Sequence, residues 1–431
     1  MSLTEKIVAE FESLEKNLNG EKNHPLFGVR KEALSSFQKL GIPGMRHEEW
    51  KYTNIKTQLP ESLSISNTGH FVPEKKDFNS FKNIKATRLV FVNGSYNESL
   101  SSILPQKGLI AGSLKHAWVS HKELIAQHYN KLVKKYEEHF PALNTAFATD
   151  GAFIYIENGV HVENPIFILH QYNSPETFVQ SRNLVIAGDN CSAKIVVDFQ
   201  NVGTASFYNH VSEIFVGKNS NIDVVKLQTA TSNSTAVHTL EADVNWDSKF
   251  SCTTVSLEGK LIRNTTNLRL SGENVDAHLY GLYYAKGSSL MDNHILIDHT
   301  APNCQSRQLY KGVLDDEATG IFNGKILVKQ KAQKTNAYQS SKAILLSPEA
   351  SVNSKPQLEI FADDVKCSHG AAIGQLRDDE IFYLESRGIE EKDAKSILTY
   401  AFANEIIAGI GLDELKDYLD VKLKAKLGIE F

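Results

Sequence analysis

The sequence predicts a mainly β protein: a β-solenoid of about 200 residues set between a helical or mixed N-terminal region and a helical C-terminal unit. Three observations carry this reading. From Phe153 onward, short runs such as Phe153-Ile154-Tyr155-Ile156, Ile166-Phe167-Ile168-Leu169, Ile195-Val196-Val197 and Ile214-Phe215-Val216 have strand length and strand composition. Polar corners recur between them: Gly188-Asp189-Asn190, Gly217-Lys218-Asn219, Trp246-Asp247-Ser248, Gly272-Glu273-Asn274, Lys286-Gly287-Ser288, Asp315-Asp316-Glu317 and Ser347-Pro348-Glu349. The intervals 188–217, 217–246 and 286–315 are each 29 residues, and 315–347 is 32. Near-constant spacing in a strand-rich region signals stacked units, none of which buries its apolar face without its neighbours. The third observation is helical periodicity on both sides. The interval 246–272 is shorter, and the period is too loose for a hexapeptide repeat, so a β-sandwich with long loops is the competing architecture. The expected divisions are 1–150, 151–375 and 376–431.

Taken in order, the first element is a helix, because Ile7, Phe11, Leu14 and Leu18 recur at spacings of three and four with Glu and Lys between them. A turn follows at Gly41-Ile42-Pro43-Gly44. The string Arg46-His47-Glu48-Glu49-Trp50-Lys51-Tyr52-Thr53 then reads as a charged linker with two anchoring aromatics. Residues 60–110 mix short apolar runs, such as Leu89-Val90-Phe91-Val92, with turn residues, and 118–139 has helical character again. After the solenoid, Asp378-Asp379-Glu380 places acids in the first turn of a helix, where they meet the positive end of its dipole. Gly388 punctuates. A second helix carries Ala394, Ile397, Leu398, Ala401, Phe402 and Ile406 along one face, and Gly409 and Gly411 end it. A last helix spaces Leu412, Leu415, Leu419, Leu423 and Leu427 by three or four. This unit holds more apolar surface than it needs for self-packing, so it either caps the last coil or docks another protein.

Composition narrows the function classes. The 431 residues include 46 basic and 51 acidic ones, a formal charge of −5, and the basic residues form no stripe, which argues against nucleic acid. Four cysteines, at 191, 252, 304 and 367, make no Cys-x-x-Cys pair, so a reducing, cytoplasmic setting is expected rather than a disulfide framework. The N-terminus lacks the basic start, apolar run and cleavage site of a secretory signal. The most apolar stretch, Ala401 to Gly411, is interrupted by Asn404 and Glu405, and a membrane-spanning role is not expected.

Few residues carry a chemical signature. Gly320-Ile321-Phe322-Asn323-Gly324-Lys325-Ile326 falls one residue short of a phosphate-binding loop between its glycines and has Ile where a hydroxyl should meet magnesium, so the chain is not expected to hydrolyse ATP. No Gly-x-Ser-x-Gly elbow and no His-Glu-x-x-His pair occurs. The strongest candidate is Asp363-Asp364-Val365-Lys366-Cys367-Ser368-His369-Gly370. On a strand, Cys367 and His369 project from one face and form half of a soft-metal or iron-sulfur site, with Lys366 and His369 placed to lower the thiol pKa. The other half would come from another surface. The competing reading is a buried cysteine beside a hydrogen-bonded histidine. His294 and His299, five apart, face opposite sides of a strand, so together with Cys304 and Tyr310 they read as core and corner polar groups. Cys191 and Cys252 read as small core residues.

Several strings together resemble the SufB/SufD family of iron-sulfur assembly scaffolds: Arg46 to Thr53, Asp298-His299-Thr300-Ala301-Pro302-Asn303-Cys304-Gln305-Ser306 leading to Tyr310-Lys311-Gly312-Val313-Leu314, Gly320 to Ile326, and Lys366 to Gly370. They cover nearly the whole chain in the same order, and the Glu-Trp-Lys-Tyr-Thr string is similar to the D-type members. The resemblance implies a right-handed parallel β-helix (solenoid) flanked by N-terminal and C-terminal helical regions. It implies a non-catalytic scaffold that pairs with a SufB-type homologue and supports iron acquisition. It also implies a SufC-type ABC ATPase docked on the C-terminal helices, around Ile397, Tyr400, Ala401 and Phe402. His369, with Cys367 nearby, would lie at the interface with the B-type subunit and contribute to a transient cluster shared with it. Two alternatives stay open, a purely structural partner and a β-helix polysaccharide lyase or acyltransferase; an exposed edge at the solenoid end also makes a homodimer plausible.

Overall fold

The structure is a computed structural model that describes residues 3–17, 26–59, 64–65, 81, 83–133, 138–172, 177–201, 207–229 and 234–429. From residue 152 the chain alternates between two sheets, laying one strand on each per circuit, and completes about seven turns of a β-solenoid. One sheet runs from Leu109–Ser113 through Ala152–Ile156 to Ser351–Ile360, the other from Ser95–Tyr96 through Thr87–Val92 and Ile166–Tyr172 to Lys366–Gly374. Successive turns pair in parallel and nearly in register: Asn264 lies beside His238, Asn293 beside Asn264, and Phe322 beside Asn293. Because strand side chains alternate, this register sends a whole row of residues to one side. Ile195, Val197, Ile222, Val224, Ile295 and Ile297 thus fill the space between the sheets. Each such side chain contributes roughly 1.5–3 kcal/mol through burial.

The corners explain the spacing in the sequence. Asn190, Asn219, Asp247, Asn274 and Asn303 all adopt positive φ, between 50° and 60°, a conformation that Asn and Asp tolerate because their short side chains bond locally. They stack as a ladder, with the Asn219 amide donating to Asn190 Oδ1 at 2.8 Å and that of Asn274 to Asp247 Oδ1 at 3.0 Å. The corners at 188, 217, 246 and 272 line one edge of the solenoid, whereas those at 286, 315 and 347 line the other. The shorter interval 246–272 arises because Lys249–Glu258 and Leu261–Leu270 are joined on the opposite edge by residues 259–260 alone, and the series crosses to that edge between 272 and 286.

Glycines in the strands make room for bulk. A Cβ on Gly312 would meet the Tyr283 ring at 2.2 Å, and one on Gly281 the Tyr310 ring at 2.2 Å, so two tyrosines interlock across neighbouring turns. The Gly320 to Ile326 stretch lies on the flat strand Thr319–Val328, not on a loop leading into a helix.

Both outer faces are covered where helices pack. Helix α1 (Leu3–Asn17) buries Ile7 and Phe11, and α2 (Leu26–Leu40) buries Ala33 and Phe37; Leu18 lies outside the described residues. The helical stretch expected at 118–139 is broken into α3 (Leu114–Ser120), α4 (Lys122–His128) and α5 (His139–Phe147). The break has a cause: the backbone N–H groups of Asn130 and Leu132 turn to the buried Glu213 carboxylate, which also holds Arg182 at 2.6 Å. At the other end α6 (Asp378–Glu385) opens on its three acids, and α7 (Glu391–Ala408) and α8 (Asp413–Lys426) follow. Ala403, Ile406, Ile407, Leu415, Leu419 and Leu423 pack on Val225, Leu227, Val255 and Val313, the outer face of the second sheet. The helices therefore clasp the flank of the solenoid and leave its last turn uncapped.

Candidate functional site

The last turn is where sequence and topology leave chemistry exposed. Strand Lys366–Gly374 pairs with Asn336–Leu345 so that Cys367 lies beside Ala337 and His369 beside Gln339. Ala337 and Gln339 are buried inner residues. In-register partners share a face, so Cys367 and His369 both project to the inner side of the final turn, as their two-residue spacing predicts.

Their environments differ. Cys367 is half-buried against Ile326, Val328, Ala332, Ala337 and Ala362, and burial pushes its thiol pKa up, with only a partial offset from a backbone hydrogen bond at Ala337. The expectation that Lys366 and His369 lower it is therefore corrected: Lys366 points to the opposite face, and desolvation dominates. His369 is exposed because no further turn covers it, and no described residue bonds its ring. No group of three or more His, Cys, Asp or Glu side chains able to hold a metal occurs among the described residues. A thiol and an imidazole on one face fit part of an iron-sulfur ligand set, and a cluster bound there would need further ligands from outside the chain.

Around this pair the surface is open. Among the described residues both sheets end here on strands with a neighbour on one side only, Ser351–Ile360 and Lys366–Gly374. Phe361 is 61% exposed and Ile373 44%. On α7 the four expected docking residues divide. Phe402 lies half-buried under the Lys311 ammonium, 4.3 Å from its ring centre, and Tyr400 donates its hydroxyl to Asp420, which pushes its pKa up to about 12. Both fasten the helix internally, whereas Ala401 is exposed and Ile397 half-exposed.

The other candidates fall where the spacing places them. His299 points inward and bonds Ser306 Oγ at 2.9 Å, while His294 points outward. Cys191, Cys252, Cys304 and Tyr310 are buried.

Two polar constellations were not legible as such. The Arg46 to Thr53 string is a strap rather than a linker. Thr53 donates to Asp292 at 2.6 Å, Arg263 contacts the same carboxylate at 2.5 Å and stacks on Trp50 at 3.8 Å, and His294 bridges Asp292 at 2.9 Å and Glu49 at 3.0 Å. Burial by itself raises the Asp292 pKa, but the Arg263 guanidinium and His294 overcome it and hold the carboxyl well below the usual range. Burial likewise opposes the charged His294, yet Asp292 and Glu49 raise its pKa overall. A groove of about 470 Å³ opens beside the strap. The second constellation lies in the bore: Lys226 and Gln228 both donate to Asn264 Oδ1, at 2.9 and 2.8 Å, Asn264 donates to Asn293 at 3.1 Å, and Gln339 donates to Gln308 at 2.7 Å. Burial pushes the Lys226 pKa down to about 8. The available signal was strand alternation, which puts these polar residues on the inward phase.

Comparison with known proteins agrees with the architecture. Residues 169–402 match the family model described as SUF system FeS cluster assembly, SufBD core domain, and residues 1–168 that of the SufBD protein N-terminal region. The chain is 31% identical over 421 residues to an iron-sulfur cluster assembly SufBD family protein of Synechocystis, covering 93% of this chain and 91% of that one. It is 29% identical over 401 residues to the iron-sulfur cluster assembly protein SufD of Escherichia coli, covering 91% of each. With SufD of Bacillus subtilis the identity is 27% over 441 residues, covering 99% of this chain and all of the other.

Proposed function

This chain belongs to the SufBD family of the SUF iron-sulfur cluster assembly system, and from that premise we propose that it is a D-type, non-catalytic scaffold subunit of the cytoplasm. Its open solenoid end pairs with a SufB-type homologue, and its C-terminal helices receive a SufC-type ATPase that performs the hydrolysis. A nascent cluster is held across the subunit interface as cargo, with iron acquired there and the main cysteine ligand supplied by the partner.

The single observation that carries this reading is the uncapped last turn, which presents His369 and Cys367 on its inner face between two free strand edges. Such edges are templates for strand pairing with another chain. An incomplete ligand pair at that position is completed by whatever docks. The raised thiol pKa and apolar packing of Cys367 make His369 the ligand of the two.

The test is anaerobic reconstitution with the B-type and ATPase partners. His369→Ala lowers cluster yield several-fold and alters the visible spectrum, with a smaller effect for Cys367→Ala. If both variants assemble the complex and leave yield and spectrum unchanged, the ligand role is wrong.

A further inference from the structure

We propose that Gln339, held by Gln308, is a positioning residue for His369: its amide oxygen accepts one ring N–H and leaves the other ring nitrogen bare and directed out of the bore. This rests on the reading of His369 as a ligand given above.

Gln308, Gln339 and His369 occupy consecutive rungs of one inner row, paired in register. Both glutamines are buried, at 2% and 3% exposure. An amide ladder has a direction, since each amide donates N–H to one neighbour and presents its C=O to the other. Here Gln339 Nε2 donates inward to Gln308 Oε1 at 2.7 Å, so its own oxygen is the free end of the ladder. That oxygen is buried and has no partner among the described residues, as is true of Gln308 Nε2 at the inner end of the pair, and the next rung outward is His369. A buried acceptor left unpaired costs about 1–3 kcal/mol. The fold nevertheless makes room for this amide. A Cβ on Gly324, across the bore, would lie 2.4 Å from Gln339 Nε2.

The imidazole is the group on that rung with an N–H to give. In the open chain its ring is exposed to water; once a partner covers the final turn, the ring is confined over the orphaned oxygen. Donating one N–H fixes the tautomer, and the second nitrogen keeps its lone pair for iron. Outer partners of ligating histidines act in this way, and their loss typically lowers metal affinity or activity about 10–100-fold.

The experiment uses the full complex, reconstituted anaerobically with ferrous iron and sulfide from a chain carrying ¹⁵N-histidine. Cluster yield and the nitrogen hyperfine couplings of the reduced cluster are read. Gln339→Leu lowers yield about tenfold and disperses the couplings, while Gln339→Glu, which keeps an oxygen at the tip, restores most of both. Unchanged thermal midpoint and partner co-purification exclude a folding defect; should Gln339→Leu fail to fold, Gln308→Leu, which releases the Gln339 amide, produces the same dispersion. Wild-type yield and couplings in Gln339→Leu, with loss of both in His369→Ala, overturn the positioning role and leave the ligand reading intact. Silence of His369→Ala overturns both.

Discussion

The strap over the first sheet shows how a few side chains decide an element's position. Asp292 is fully buried and Arg263 nearly so, and each is acceptable there only because of the other. Asp292→Ala leaves the guanidinium without its carboxylate and is expected to cost about 3–5 kcal/mol in urea unfolding; a loss below about 1 kcal/mol would mean that the strap does not depend on it. The pH dependence follows from the signs. His294 has a folded pKa above its ordinary 6.5, so its contribution is complete below that value and fades as pH rises through the higher folded value. Asp292 is depressed, so its contribution holds above the ordinary carboxylate range and is lost only as pH falls through its low folded value. His294→Gln should therefore flatten the decline in melting temperature on the alkaline side of neutrality and leave the acid limb in place.

At the scale of elements, α7 has two jobs on one helix. Ala403, Ile406 and Ile407 bury against the second sheet, and Lys311 reaches from that sheet to the Phe402 carbonyl at 2.8 Å and to the Glu405 carboxylate. Ile397 and Ala401 remain on the outward side. Ala401→Asp and Ile397→Asp should thus reduce co-purification of the ATPase while changing stability by only about 0.5 kcal/mol, as exposed substitutions do. Phe402→Asp, by contrast, should destabilise the helix on its own sheet. Undiminished ATPase recovery with both outward variants would remove this face as the docking surface. Ile397, Ala401 and Phe402 share a helical stripe in the sequence, but a stripe wider than one contact does not reveal which part is spent internally.

At the scale of the molecule, one end of the solenoid is left unfinished: its two terminal strands lack outer neighbours among the described residues, and Phe361 and Ile373 are exposed beside them. Ile373→Lys is expected to weaken pairing with the B-type subunit, and self-association of the isolated chain, by about tenfold in sedimentation analysis, without lowering the melting temperature. Unaltered association would place the interface elsewhere. The unfinished end also shows what could be read without coordinates. The strand runs, the corner residues and the period of about 29 were legible because each depends on local chemistry, namely β-branched propensity, the tolerance of Asn and Asp for positive φ, and alternation of faces. Alternation also placed Cys367 and His369 together and set His294 and His299 apart. Which corners shared an edge, that the C-terminal helices clasp a flank rather than cap the end, and that Arg46 to Thr53 reaches Asp292 were decided only by the fold. Those contacts join residues hundreds of positions apart, and burial, which sets the thiol pKa of Cys367 against its charged neighbours and orphans the Gln339 oxygen, exists only once the turns are stacked.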